Sequence, residues 1–124
     1  MTTESRRSRR VAELLRSYLG SMMIRELGDP RLSSLVITTV EVSEDLSQAR
    51  IGVRLLVDDN DPEVRRGVLR ALRGASGRLR HSLAPAMRVR RLPELRFVYD
   101  TGPDAARRVE ELLAEIARDP KASD

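Results

Sequence analysis

The sequence predicts an α+β fold: a three-stranded sheet covered on one face by helices, in the order α-β-β-α-β-α. Two observations carry it. Long segments repeat apolar residues at helical spacing, while short runs alternate with period two between clusters of turn residues. Two strands come in succession before the middle helix, and a sheet with helices packed on it is the simplest closed arrangement of that order. The 124 residues suit one domain spanning 1–124. No internal repeat or linker divides them, and the tail 119–124 is expected to be disordered.

Val11, Leu14, Leu15, Tyr18, Leu19, Met22, Met23 and Leu27 recur at i, i+3, i+4 and i+7, predicting one long amphipathic helix with a single buried stripe. Gly28 is expected to cap it, with Pro30 forbidding continuation. The run VITTVEV (36–42) reads as a strand with Val36, Thr38, Val40 and Val42 on one side, and SEDLS (43–47) is turn chemistry. Ala49, Ile51, Val53, Leu55 and Val57 alternate with Gln48, Arg50, Gly52 and Arg54, completing a hairpin with one face in the core. In DDNDPE (58–63), Asp61 is placed as an N-cap, Pro62 at the first helical position and Glu63 in the first turn. The helix that follows turns Val64, Val68, Ala71, Leu72, Ala75 and Leu79 inward. A basic connection after Pro85 leads to a third strand, LRFVYD (95–100), with Leu95, Phe97 and Tyr99 inward. Residues 101–104 start a last helix with Val109, Leu112, Leu113 and Ile116 as its apolar stripe.

Several chemistries are excluded by what the chain lacks. Without cysteine there is no disulfide, thiolate metal site or cysteine nucleophile, which fits a reducing, cytoplasmic setting. No apolar run approaches the roughly 20 residues of a membrane helix, and MTTESRRSRR lacks the apolar centre of a secretory signal. His81 is the only histidine and has no carboxylate near it in sequence for a metal site. Phosphate-loop, dinucleotide and zincin motifs are absent. The sequence therefore predicts a binding module with no catalytic residue, metal or cofactor, and not an enzyme.

Charge is distributed unevenly. Residues 64–93 contain no Asp or Glu, yet hold Arg65, Arg66, Arg70, Arg73, Arg78, Arg80, Arg88, Arg90 and Arg91. Arg66, Arg70 and Arg73 share the outer face of the middle helix, with Arg80 seven residues further along. Arg6, Arg7, Arg9 and Arg10 form a second cluster. An uncompensated cationic stripe predicts a polyanionic partner. Inside the stripe, RALRGASGRLR (70–80) keeps helical spacing but holds two glycines, each costing about 1 kcal/mol relative to alanine in a helix interior. This predicts a glycine-bearing break at 74–77, where a nucleic-acid backbone could approach and the amides of a second helical segment could face phosphate. With only two tyrosines and one phenylalanine, expected in the core, recognition by base stacking is disfavoured.

The blocks SRRVAELLRSYL (8–19), DPRL (29–32), VITTVEVSEDLSQARI (36–51), LRGASGRLRHSL (72–83) and PELRFVYD (93–100), then Leu112 and Leu113, follow an order that resembles the ribosome-binding factor A family of bacterial small-subunit maturation factors. The resemblance covers nearly the whole chain. It implies a type II KH-like fold in which the GxxG loop of KH domains is replaced by an Ala-x-Gly kink, here Ala75-Ser76-Gly77. It further implies binding to the free, immature small ribosomal subunit, against ribosomal RNA near its 5′-terminal helix and the neck. There the family assists late RNA processing and folding, particularly in the cold, without cofactor or chemical step. The cationic stripe and this resemblance together give as expected RNA-binding residues Arg66, Arg70, Arg73, Ser76, Gly77, Arg78, Arg80, Arg88, Arg90 and Arg91, and a monomer is expected because no second apolar stripe demands a partner. The kink is a requirement of the fold first, with Ala75 allowing close approach and Gly77 the bend. Two other readings stay open at this point: a protein-interaction module with a basic face, and a KH-like binder of structured RNA outside the ribosome.

Overall fold

In the computed structural model, which describes residues 5–26, 28, 32, 34–57 and 60–118, the expected order is present. Helix α1 (Arg6–Glu26) leads to strands β1 (Leu35–Val42) and β2 (Gln48–Leu55). Helix α2 (Pro62–Met87), strand β3 (Glu94–Tyr99) and helix α3 (Pro103–Arg118) follow. The sheet order is β1-β2-β3, with β1 antiparallel to β2 and β2 parallel to β3. A parallel pair needs a crossover, and α2 supplies it. Leu15 and Leu19 of α1, Ile51 and Val53 of β2, and Leu72, Leu79 and Leu83 of α2 are fully buried together. Burying each of these side chains contributes about 1.5–3 kcal/mol, so the seam between α1, α2 and the sheet is the dominant stabilising feature.

The start of α2 is as its sequence dictates. Asp61 is extended (φ −85°, ψ 111°) and accepts a hydrogen bond from the Glu63 N–H at 2.9 Å, with Pro62 inside the first turn. In the hairpin turn, Asp45 accepts from the hydroxyls of Ser47 and Ser43, each at 2.7 Å, and these bonds pull its carboxyl down to about 2. The stop expected for α1 at Gly28–Pro30 falls on a segment largely outside the described residues, as does the tail 119–124.

Strand β1 departs from the expected alternation. Register shifts between Ile37 and Thr39, so Thr38 is the extra residue of a β-bulge. Ile37 is paired with Val53, and beyond the bulge Val40 and Val42 lie opposite Ile51 and Ala49. Val36, expected on the same side as these, pairs instead with outward-facing Arg54. Thr38 is buried and donates from its hydroxyl to Asp100 Oδ2 at 2.7 Å, spanning from β1 to the end of β3. Gly52 of β2 lies beneath that link: a Cβ there would sit 2.4 Å from Thr39 Oγ1 and 2.8 Å from Thr38 Oγ1. Gly52→Ala is expected to destabilise the fold by about 1–3 kcal/mol, because the Thr38–Asp100 bond or the bulge must move. An unchanged denaturation midpoint would show that the two threonines yield freely.

Helix α3 packs against β1. Val109 is buried but lies outside the main core, while Leu113 and Ile116, expected to complete the stripe, are 45% and 49% exposed. Val64, expected on the inner face of α2, is likewise 41% exposed. Periodicity identifies an apolar stripe, and whether a neighbour covers it depends on the fold.

Candidate nucleic-acid interface

Helix α2 owes its two faces to its sequence. Val68, Leu72, Ala75, Leu79, Leu83 and Met87 are buried, and the opposite side displays Arg66, Arg70, Arg73, Gly74, Gly77, His81 and Ala84, all exposed. Fifteen residues separate Arg66 from His81, so this face is about 22 Å long. Arg78 flanks it on one side and Arg80 on the other.

The sequence-derived break is corrected by the structure. Residues 62–87 form one uninterrupted α-helix, and no glycine in it has positive φ. Ala75, Ser76 and Gly77 lie inside that run, so whatever curvature they permit is curvature of a single helix. No second N-terminus opens there, and the amides expected to face phosphate belong to a helix interior. The reason is packing: Leu72, Ala75, Leu79 and Leu83 all bury against the core, which outweighs the local propensity cost of two glycines. The helix also passes Pro85, which removes one rung two residues before the end. It ends at Arg88, whose φ of 53° and ψ of 34° place an arginine in the left-handed position that glycine usually holds.

Ala75 has the packing role expected of it, being 1% exposed. Gly77 does not: a Cβ at Gly74 or Gly77 would meet nothing within 4 Å. These two glycines sit at the centre of the exposed face, flanked by arginines, and packing among the described residues does not require either of them.

The predicted arginines divide into two groups. Arg66 forms an ion pair with Glu63, one turn before it and also exposed. Arg80 donates to the Leu92 carbonyl at 3.2 Å, tying the connection 88–93 back onto α2. Arg65 faces elsewhere: it reaches Asn60 Oδ1 at 2.7 Å and lies 5.2 Å from the centroid of the Tyr99 ring. In contrast, Arg70, Arg73, Arg78, Arg88, Arg90 and Arg91 are exposed and make no ion pair among the described residues. Ser76 is half-buried at the edge of the face. The sequence-derived set of RNA-binding residues leaves out His81 and Ala84, and holds Gly74 only as part of the expected break; their place on this face follows from the 3.6-residue period once the helix is known to be continuous. The aromatic side chains are occupied as expected. Phe97 is buried, Tyr18 and Tyr99 pack against the core, and the Tyr99 hydroxyl accepts from the Leu55 N–H at 3.0 Å. Among the described residues no group of three or more His, Asp or Glu side chains could hold a metal ion, and no helix is long and apolar enough to cross a membrane.

Fold and face together define a small KH-like α+β protein with a cationic helical layer. The family model described as Ribosome-binding factor A matches residues 7–113. A ribosome-binding factor A from Sorangium cellulosum is 48% identical over 111 residues, covering 90% of this chain and 89% of that protein. The crystal structure of ribosome-binding factor A from Thermus thermophilus superposes with a TM-score of 0.62 at 34% identity, over 74% of this chain and 94% of that one. A homology model of the Thermus thermophilus factor, fitted into a cryo-EM map of its complex with the 30S subunit, gives a TM-score of 0.59 at 35% identity, over 72% and 90% of the two chains. The chain belongs to the ribosome-binding factor A family.

Proposed function

We propose that this protein binds the immature small ribosomal subunit through its RNA and assists late ribosomal RNA processing and maturation, acting by binding alone. The observation that carries this reading is the set of six exposed arginines, Arg70, Arg73, Arg78, Arg88, Arg90 and Arg91, without acidic partners among the described residues. Phosphate contacts position a protein on RNA without reading sequence. The exposed face is a continuous helical ridge with no free aromatic ring among the described residues, which suits the backbone of folded RNA better than splayed single-stranded bases. The similarity to a factor fitted into a 30S complex supports the choice of partner. Gly74 and Gly77 add shape, since the helix backbone is bare where a phosphate chain would lie between the flanking arginines.

Sedimentation of lysate tests the partner: the protein should travel with free small subunits and not with translating ribosomes. Titration tests the mode. If the six arginines each meet phosphate, they should contribute roughly −4 to −5 to the slope of the logarithm of affinity for purified small subunits against the logarithm of salt. A flat salt dependence would mean that the arginine face is not the contact.

A further inference from the structure

The arginines at the start of α1 take no part in the reading above, and they occupy an electrostatically unfavourable place. A helix N-terminus carries partial positive charge, so a cation in its first turn is destabilising where a carboxylate would be stabilising. Helix α1 has no acidic residue in its first turn and opens with Arg6 and Arg7, followed closely by Arg9 and Arg10. Nor is that turn loose. The Ser5 N–H donates to Ser8 Oγ at 2.8 Å and the Ser8 N–H donates to Ser5 Oγ at 3.1 Å, a reciprocal cap whose second member is fully buried. Arg6, Arg7 and Arg10 are exposed on this fixed turn and make no ion pair among the described residues, whereas Arg9 has a contact of its own within the chain.

Topology sets these arginines beside another cluster. Helix α2 carries the chain from the end of β2 to the start of the parallel β3, so its exit, with Arg88, Arg90 and Arg91, lies where β2 and β3 begin. Helix α1 packs along β1 and α2 and finishes just before β1 starts, so its own beginning lies where β1 ends. Those are one end of the molecule, because Val42 pairs with Ala49 and Gln48 with Glu94. Of the acids at that end, Glu41, Glu44, Asp45 and Glu94 belong to the strands and their turn, and in the helical layer Glu13 lies one turn beyond Arg9 and Arg10, exposed and without an ion pair among the described residues. Among the described residues the large exposed apolar side chains of α1 and α2 are Leu14 and, at the opposite end of α2, Val64, so this part of the helical layer lacks the aromatic anchors common at protein interfaces.

We propose that Arg6, Arg7 and Arg10 form a second RNA phosphate-contact surface, continuous with the α2 exit, so that two helices hold the RNA at one end of the helical layer. The proposal rests on the RNA-binding reading above and extends it to α1. Here a polyanion offsets a charge arrangement that the isolated fold disfavours.

The test is the triple variant Arg6→Gln, Arg7→Gln, Arg10→Gln in the full chain, titrated against purified small subunits and against naked small-subunit RNA between about 50 and 200 mM salt. Arg70→Glu/Arg73→Glu is carried in parallel. The triple variant should lose about 2–3 units of salt slope and roughly 100-fold in affinity near 0.15 M salt on both probes. Its melting temperature should hold or rise, since cations leave the positive end of the helix. An unchanged slope in the triple variant beside a loss in the α2 variant overturns the α1 surface and leaves the α2 reading standing. Unchanged binding in both variants overturns both. Loss on assembled subunits with unchanged binding to naked RNA would mean that α1 meets an acidic protein, which overturns the proposal as well.

Discussion

Replacing Arg70 and Arg73 together with glutamate should lower affinity for the small ribosomal subunit about 100-fold while leaving the fold intact. Both side chains are exposed on the outer face of α2 and have no ion-pair partner among the described residues, so the substitution removes no contact of the folded state. Glutamate is as good a helix former as arginine, and surface changes of this kind move stability by about 0.5 kcal/mol or less. Binding is a different matter. A hydrogen bond to a charged group is worth about 1.5–3 kcal/mol, and two lost near the lower value already give the 100-fold figure before any repulsion between carboxylate and phosphate. Arg25→Glu/Arg118→Glu is the matched control. It changes net charge equally at exposed positions of α1 and α3 and should bind almost as the unmodified protein does. Equal losses in the two pairs would mean that total charge, and not this face, governs association.

The parts of the structure that sequence foretold are those in which local chemistry and packing agree. Asp61, Pro62 and Glu63 are a helix start by side-chain chemistry alone, and the tertiary fold keeps it. The inward positions of β2 as far as Leu55, and those of β3, follow period two because neither strand contains an irregularity, whereas Val57, expected to continue the alternation, lies beyond β2 and is 79% exposed. Where a local signal competed with packing, packing decided. Two glycines, a serine and a proline suggest that a helix should break or end, yet Leu79, Leu83 and Met87 continue the buried stripe beyond them and hold α2 together to Met87. The bulge at Thr38 was invisible for another reason. Every residue from Val36 to Val40 is β-branched, so shifting the pattern by one leaves an equally plausible strand. At the candidate interface, composition located the arginines but could not sort them. That Arg66 pairs with Glu63 one turn away could be suspected from i, i+3 spacing, whereas the bond from Arg80 to the Leu92 carbonyl depends on how the connection folds back.

The glycines yield the other large expected effect, and it separates fold from function. If Gly77 were needed for the fold, a side chain there would lower stability. The open space around it, and around Gly74, predicts the reverse: Gly74→Ala/Gly77→Ala should stabilise the protein, each substitution recovering about 0.5–1 kcal/mol of helix propensity. For a chain of this size the pair should raise the melting temperature by roughly 5 °C. The same two methyl groups stand at the centre of the arginine-flanked face, where they would hold a phosphate backbone off the helix, so affinity for small subunits should fall about tenfold. Gly77→Leu enlarges the obstacle without entering the core; it should keep the melting temperature and reduce binding further. Ala75→Leu provides the contrast, since that position is 1% exposed and a larger side chain overpacks the seam between α2 and the sheet, costing about 1–3 kcal/mol. Helix propensity is given up at two positions where no neighbour among the described residues asks for glycine, and on the function proposed above the neighbour is the RNA. Lower stability in the alanine pair would return Gly74 and Gly77 to the fold, and undiminished binding would place the RNA elsewhere on α2.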